Sequence, residues 1–345
     1  MKKKIVLVVD YKFHKKWFTG LAYSYLRAFK AKEFECELIE FDVNPYIYHL
    51  FEKYYPAKLK SYLKSKQKPI INYIKNSEAE FVFIIKGYYL LPETIELLKD
   101  FGKKVFCFYP DDPLVLQPST SNKFVSKSIE KYNAYFIWSK KLIKPIQNVG
   151  CKNVFYLPFG ADIDLLHPTR LDSRSGEANI QYDVTFIGNV DRERTDFINS
   201  LSSYLDDNFN KLVFGCGWEN LNGFKVKGEA LGDKFINTIF NSKINLNILR
   251  VQNKNSNNMR TFEIPAVGGF MLHEYSEEAI EFFEPGIDAD YFKSPEECAD
   301  KIKYYLKNDM LRQKIAKAGH EKVFSAKYLY TNRVDEIWQN ITSLS

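Results

Sequence analysis

The sequence has few of the residues that build disulfide frameworks and metal sites. Its 345 residues include five cysteines and five histidines, and neither set has the close spacing of a disulfide framework or a zinc site. Scattered cysteines in odd number are typical of a reducing compartment, so we expect a cytoplasmic protein. The sequence also lacks a Gly-x-Gly-x-x-Gly fingerprint, which leaves NAD binding without support.

Long apolar runs are also missing. The run at residues 5–9 ends at Asp10 and is too short for the core of a signal peptide. No run reaches the roughly 20 residues of a membrane span, so any membrane contact is expected to be peripheral. The formal net charge of +6 suits nucleotide phosphates or an anionic membrane surface, although a solvated lysine-rich surface gives the same charge.

Short apolar runs alternate with longer amphipathic stretches, in two series. The first predicts strands at residues 5–9, 36–41, 81–85, 105–109, 134–138 and 154–157, and the second at 182–187, 211–214, 243–248 and 270–273. Helical patterns begin near Gly20 and Pro92 and fill residues 44–78, 260–267 and most of 295–345. This alternation predicts an α/β protein with two Rossmann-like domains built on parallel sheets.

The polar stretch at residues 168–181 lacks periodicity and is the predicted linker. It separates domains at residues 1–167 and 182–330, and residues 331–345 are expected to form a helix that packs back on the first domain. Ligands of open α/β sheets bind beyond the carboxyl ends of the strands. We therefore expect a central cleft between the two domains, with the chemistry in the loops that face it.

The segment at residues 260–272 carries the clearest charged pair. Arg260 and Glu263 lie three residues apart and so share one face of a helix. A carboxylate there can accept hydrogen bonds from ribose hydroxyls, and an arginine can hold a diphosphate. From the spacing alone, an ordinary surface ion pair is the better explanation.

Residues 182–330 resemble the donor-binding domain of GT-B glycosyltransferases of the glycosyl transferases group 1 type, above all the branch named after spore-maturation CgeB proteins. The segments that carry the resemblance stand in the family's order, at 183–189, 242–247, 260–272, 283–286 and 311–316. The resemblance implies a GT-B architecture and a ribose-binding role for Glu263. Members with a Glu-x7-Glu pattern have a second glutamate where this sequence has Asn255, which leaves the sugar and the stereochemistry open.

In the loop after residues 182–187, a glycine directly after a strand lets a phosphate approach the backbone, and the next helix N-terminus favours anions. The resemblance implies that this loop faces the donor diphosphate. A plain strand-to-helix turn is the alternative. By resemblance, Lys227 and Gly228 border the nucleobase. The predicted donor site comprises Gly188, Asn189, Arg194, Lys227, Gly228, Asn247, Arg260 and Glu263.

In the first half, Asp111 and Asp112 follow a predicted buried strand. One of them is expected to be catalytic, either as general base towards an acceptor hydroxyl or as a counter-charge to the sugar. Asp-Pro turn chemistry explains the same residues equally well. Gly20 is a candidate for a phosphate or acceptor loop.

Two Asp-x-Asp patterns, Asp162/Asp164 and Asp288/Asp290, occur at unrelated places, and we predict no essential metal. The sequence thus predicts a metal-independent glycosyltransferase that uses a UDP- or GDP-sugar and no other cofactor. Its acceptor would be the hydroxyl of a glycan, a lipid-linked molecule or a protein, in polysaccharide synthesis or protein glycosylation. A catalytically silent scaffold of the same fold is the alternative. A nucleic-acid-binding protein would explain the charge, but no such motif is present.

Overall fold

The computed structural model describes residues 3–9, 20–118, 120–166, 181–219 and 221–344. The chain divides into two compact units, one comprising Met1–Pro158 with Arg333–Ser345 and the other Phe159–Asn332. The predicted linker lies outside the described residues except for Gln181, so its boundaries stay a prediction.

The first unit is built on a six-stranded parallel sheet. Its strands are β1 Lys4–Val9, β2 Glu35–Glu40, β3 Phe81–Ile85, β4 Lys104–Tyr109, β5 Ala134–Ile137 and β6 Val154–Tyr156, in the order β2-β1-β3-β4-β5-β6. Its helices are α1 Leu21–Ala31, α2 Pro45–Tyr54, α3 Pro56–Asn76, α4 Pro92–Asp100, α5 Lys123–Ser128 and α6 Ile143–Asn148. Every residue of β3 and β5 is buried, as expected when helices cover both faces of a sheet.

The second unit repeats this plan. Its strands are β7 Tyr182–Ile187, β8 Lys211–Phe214, β9 Lys225–Lys227, β10 Ser242–Asn247, β11 Met271–Glu274 and β12 Asp290–Phe292, in the order β12-β11-β10-β7-β8-β9. Its helices are α7 Ile163–Leu166, α8 Arg192–Ser203, α9 Asp233–Phe240, α10 Met259–Val267, α11 Ala279–Phe282, α12 Pro295–Lys307 and α13 Asp309–Ser325. The predicted α/β class with two parallel sheets is confirmed.

Each sheet has one point where the chain reverses its direction of progress across the strands. In the first sheet this point lies between β1 and β3, and in the second between β7 and β10. The loops at the carboxyl ends of two such strands lead away to opposite sides and leave a crevice, which is where open α/β sheets bind ligands. The crevice between β7 and β10 is therefore the place to look for a site in the second unit.

The last helix, α14 at Tyr330–Thr342, groups with the first unit from Arg333 onwards. Its Trp338 ring packs edge-on against Phe34 and Phe81, with centroids 5.1 Å apart in both pairs. The ammonium of Lys3 also lies 3.8 Å from the centroid of the Trp338 ring. The C-terminal residues thus complete the core around β3 in the first unit.

Most predicted strands match to within one residue, but β9 and β12 were not predicted. Both are only three residues long, and every residue of β9 is exposed, so neither gives an apolar run. The stretch at residues 44–78, for which a helical pattern was predicted, forms two helices. Asn44 caps α2, and Pro56, which has no N–H to donate, opens α3.

Candidate active site

Helix α10 follows β10 and starts at the carboxyl edge of the second sheet. Six of its nine residues are buried. The remaining three, Met259, Arg260 and Glu263, keep accessible surface and lie on one face of the helix. Gly268, with φ of 89°, ends the helix in the left-handed conformation that glycine adopts without strain. An otherwise buried helix therefore presents a single charged patch.

Arg260 and Glu263 form the ion pair that their spacing predicts. The two side chains are 27% and 13% exposed, so both remain accessible to a small ligand. The Arg260 guanidinium also donates from Nε to the carbonyl oxygen of Ile187, at 3.3 Å, and lies 4.3 Å from the centroid of the Phe235 ring. Because Ile187 ends β7, these contacts hold the patch at the crevice between β7 and β10.

Buried polar groups fix the N-terminus of α10. Asn258 caps the helix by accepting from the Thr261 N–H at 3.0 Å. The side-chain amides of Asn247 and Asn258 bond each other in both directions, at 3.0 and 2.9 Å. Asn247 is only 1% exposed, so its predicted role changes from contact with the donor to positioning of Asn258. The sequence analysis did not single out Asn258, although an asparagine three residues before a threonine at a helix start is a capping signal.

His273 supports the same helix end from β11. It is completely buried, and burial lowers the pKa of its imidazole to about 4. Its Nδ1 faces the backbone carbonyl oxygen of Glu274, which requires a protonated Nδ1. Its Nε2 lies 2.9 Å from the hydroxyl of Thr261 and accepts from it. A neutral histidine is thus part of the support under α10.

Arg194 spans the crevice from the start of α8. Its guanidinium donates from Nε and Nη2 to the carbonyl oxygen of Ile248, at 3.1 and 2.7 Å, and from Nη1 to that of Asn189, at 3.1 Å. The residue is 7% exposed, and desolvation by burial lowers the pKa of the guanidinium to about 10. The sequence predicts a phosphate contact here, whereas the structure gives Arg194 the role of tying the ends of β7 and β10 together.

The loop after β7 is joined to the loop after β8 by hydrogen bonds. Gly188 donates its N–H to the carbonyl oxygen of Phe214 at 2.9 Å and accepts from the Trp218 indole at 2.7 Å. Its N–H is therefore not available to a phosphate. A Cβ at Gly188 would lie 2.8 Å from the Phe186 ring, so any larger residue would have to displace that ring, and packing favours glycine there. The Asn189 side-chain oxygen accepts from the Cys216 N–H at 3.1 Å.

Two further predicted donor contacts lie at the far edge of the sheet. Lys227 ends β9 and is exposed, and a Cβ at Gly228 would meet nothing within 4 Å. This surface is open to a ligand, and the nucleobase contact stays a prediction. Asn255 is exposed in the loop before α10 with φ of 59°, a conformation that asparagine tolerates better than most residues.

In the first unit, the two predicted catalytic aspartates have different surroundings. Asp111 forms an ion pair with Lys86, with Nζ and Oδ2 2.7 Å apart, and its backbone oxygen accepts from the Trp138 indole at 3.3 Å. The Asp112 carboxylate instead accepts from the Leu114 N–H at 2.9 Å, which is the turn chemistry that the sequence left open. Lys86 follows β3 directly and has φ of 71°. The sequence analysis missed it, although a lysine straight after a wholly apolar strand was a signal.

Gly20 lies at the N-cap of α1. Its carbonyl oxygen accepts from the N–H groups of Tyr23 and Ser24, at 2.9 and 3.2 Å. The residues before Gly20, from 10 to 19, lie outside the described part of the chain. Its assignment to a phosphate or acceptor loop stays a prediction.

Comparison with known proteins bears on the family of residues 192–339 and on the fold of the chain. Residues 192–339 match the sequence model of a family described as glycosyl transferase-like. Among solved structures, the sucrose-phosphate synthase of Thermosynechococcus elongatus superposes with a TM-score of 0.68 at 11% identity, covering 100% of both chains. The fold is GT-B. Anabaena HepE, solved in complex with UDP and glucose, gives a TM-score of 0.67 at 11% identity, covering 99% of this chain and 100% of its own. A glycosyltransferase from Rickettsia africae gives a TM-score of 0.69 at 13% identity, covering 99% of this chain and 98% of its own.

No curated protein matches the sequence. The prediction of a GT-B glycosyltransferase is nevertheless confirmed at the level of its class, because the chain carries a glycosyl transferase-like domain within a GT-B fold. In the second unit of this GT-B protein, Arg260 and Glu263 fall within the matched residues, as do Lys227, Gly228, Arg194 and Asn247.

The aspartates of the second Asp-x-Asp pattern have partners within the protein. Asp288 pairs with Lys322 at 2.6 Å, and Asp290 pairs with Lys301 at 3.0 Å and accepts from the Tyr305 hydroxyl at 2.8 Å. Within the described ranges, no group of three or more histidine, cysteine, aspartate or glutamate side chains is placed to hold a metal ion. No helix in the part of the chain that the structure describes is long and apolar enough to cross a membrane.

Proposed function

We propose that this protein transfers a sugar from a nucleoside diphosphate sugar, with UDP as the first candidate nucleotide, to an acceptor hydroxyl. The observation that carries the proposal is the Arg260–Glu263 pair, which is the accessible charged patch of an otherwise buried helix at the crevice of the second sheet. Anabaena HepE, a GT-B neighbour, has been solved with UDP-glucose, which supports UDP over GDP.

In this proposal Glu263 accepts hydrogen bonds from the ribose hydroxyls and Arg260 contacts the diphosphate. A guanidinium has five N–H groups, and the contacts to Glu263 and Ile187 use two of them. The others can bind phosphate oxygens while Glu263 and the Phe235 ring keep the group oriented. A positioned arginine stabilises the charge that grows on the departing diphosphate, so we propose that transfer needs no metal and no further cofactor.

For the acceptor side we propose Asp111 rather than Asp112. The Asp112 carboxylate accepts a hydrogen bond within a turn, from the Leu114 N–H. The Asp111 carboxylate instead forms an ion pair with Lys86, which directly follows β3. A lysine held against a carboxylate fixes its orientation, which a general base requires. We also propose the CgeB-like branch and a glycan, lipid-linked or protein acceptor, on the ordered motifs of the sequence. A cytoplasmic location remains part of the proposal because the five cysteines are scattered and odd in number.

The proposal is tested by measuring the binding of UDP, GDP and ADP, both by calorimetry and by thermal unfolding. We expect UDP to raise the melting temperature, since a ligand that binds only the folded state stabilises it. Glu263→Ala should weaken UDP binding by about 10- to 100-fold, because hydrogen bonds to a charged group contribute about 1.5–3 kcal/mol. The matched control is Glu277→Ala, which removes an exposed carboxylate of the same unit and should leave UDP binding unchanged.

Equal UDP affinity in wild type and Glu263→Ala would refute the donor site. Slow release of UDP from a UDP-sugar by the purified protein would support transfer, because water can replace the acceptor. Tight UDP binding without any turnover, on the other hand, would favour the silent scaffold.

A further inference from the structure

The net excess of positive charge in this protein lies in one pair of helices. Residues 45–76, which form α2 and α3, contain seven lysines and a single acidic residue, Glu52, and so carry a net charge of +6. This equals the formal net charge of the whole chain, and the other residues taken together are neutral. The excess is therefore a local feature of the first unit and not a general property of the surface.

The same pair of helices exposes large apolar side chains. Tyr46, Ile47, Leu50 and Tyr54 of α2 are 86%, 38%, 48% and 60% exposed. At 3.6 residues per turn they fall within an arc of about 100° on the helix, and we call them the α2 face. Tyr48, the buried residue of α2, lies on the opposite side of the helix. The α2 face therefore points away from the protein.

Lys53 lies beside this face, and Lys58 lies beside the exposed tyrosine that follows α2. The Lys53 ammonium is 5.0 Å from the centroid of the Tyr54 ring, and that of Lys58 is 5.2 Å from the ring of Tyr55, which is itself 50% exposed. Long lysine stems can lie along an apolar surface while their charges reach outwards to polar groups. The surface thus combines aromatic and aliphatic groups with cations at close range.

Both helices are firmly held, so the α2 face is presented by a folded scaffold. Asn44 caps α2 by accepting from the N–H groups of Tyr46 and Ile47, at 2.9 and 3.2 Å. Helix α3 packs through one buried face, which consists of Leu59, Leu63, Gln67, Ile70 and Ile74. Its lysines consequently remain on the outside.

We propose that α2 and α3 dock this protein on the surface of an anionic lipid bilayer. The α2 face would enter the interface between headgroups and acyl chains, and the neighbouring lysines would lie against anionic headgroups. An apolar helix face bordered by lysines is the pattern of helices that lie in the membrane interface, and tyrosine is favoured there because its ring is apolar and its hydroxyl is polar. Charge decides the kind of lipid, because basic residues near the surface attract anionic lipids.

The test is sedimentation of the full chain with sucrose-loaded vesicles of phosphatidylcholine, alone or with 30% phosphatidylglycerol. We expect binding to the vesicles that contain phosphatidylglycerol, and little binding to phosphatidylcholine alone or at 0.5 M salt. The double variant Lys53→Gln with Lys58→Gln should lower the partition coefficient of the protein onto these vesicles about 30-fold, since each lysine near the membrane surface contributes about fivefold. Tyr46→Ser with Leu50→Ser should also release the protein from the vesicles.

Matched controls are Tyr304→Ser, which removes a 51% exposed tyrosine of the second unit, and Lys317→Gln, whose side chain is 77% exposed. Neither should change vesicle binding. UDP binding should be the same in all these variants, so that failure of the docking surface and failure of the donor site can be distinguished.

Equal binding to both kinds of vesicle, no binding to either, or equal losses in the control variants would overturn the proposal. A dimer in light scattering that Tyr46→Ser with Leu50→Ser converts to a monomer would also overturn it, because a second copy of the chain would then be the occupant of the α2 face.

Discussion

Replacing Arg194 with methionine separates two roles for this residue. The change keeps the aliphatic part of the side chain and removes the guanidinium that bonds the carbonyl oxygens of Ile248 and Asn189. A buried acceptor that loses its partner costs about 1–3 kcal/mol. Ile248 is buried, whereas Asn189 is exposed and its carbonyl can turn to water, so the larger loss comes from Ile248.

Part of this loss is offset, because the variant no longer buries the charge whose desolvation lowers the pKa of Arg194. We expect the free energy of unfolding of the second unit to fall by about 2 kcal/mol. For a domain of this size that corresponds to a fall of about 4–8 °C in melting temperature. The assay is thermal unfolding of the full chain without nucleotide, followed by UDP titration.

Arg192→Met is the matched control, because Arg192 stands on the same first turn of α8 with a side chain that is 95% exposed. It should melt like the wild type. If Arg194→Met also melts like the wild type but fails to bind UDP, then Arg194 is a ligand of the phosphate, and our reasoning that it ties the ends of β7 and β10 together is wrong. A lower melting temperature with UDP binding retained would support the structural role alone.

Two further predictions concern buried and catalytic groups. Because the pKa of His273 is lowered from 6.5 to about 4 in the fold, its stabilising contribution is complete above pH 6.5 and is lost as the pH falls towards 4. In urea unfolding, the free energy of unfolding should be about 2 kcal/mol lower at pH 5 than at pH 7 because of this group. In His273→Gln this difference should be absent. If the variant keeps the pH dependence of the wild type, the structure's neutral buried histidine is contradicted. Asp111→Asn should slow hydrolysis of a UDP-sugar at least about 100-fold with UDP affinity unchanged, whereas Asp112→Asn, which can still accept from Leu114, should remain close to wild type. The reverse order of rates would assign catalysis to Asp112.

The sequence predicted those parts of the fold that depend on local pattern. The bounds of β3, β7 and β8 were predicted correctly, because apolar strands between amphipathic stretches give a clear signal. The Arg260–Glu263 pair followed from helical spacing in the same way. In contrast, β9 has no apolar run, because it is a short exposed edge strand with lysines at both ends.

The contacts that organise the site could not be predicted, because they join residues far apart in the chain. Arg194 bonds a backbone carbonyl 54 residues away, and Lys86 meets Asp111 across 25 residues. Backbone carbonyls carry no sequence signal, and one sequence does not reveal which side chains converge. The sequence therefore indicated which residue types were available, while their roles as ligands or supports required the three-dimensional arrangement.

The return of α14 to the first unit has a consequence for how the chain is made. Trp338 fills a place between Phe34 and Phe81, yet it leaves the ribosome only after all of Phe159–Asn332. The first unit, although its strands are synthesised first, cannot complete this packing until Trp338 has been made, whereas Phe159–Asn332, which forms the second unit, is complete by then. During synthesis, the order of completion should therefore be the reverse of the order of the sequence.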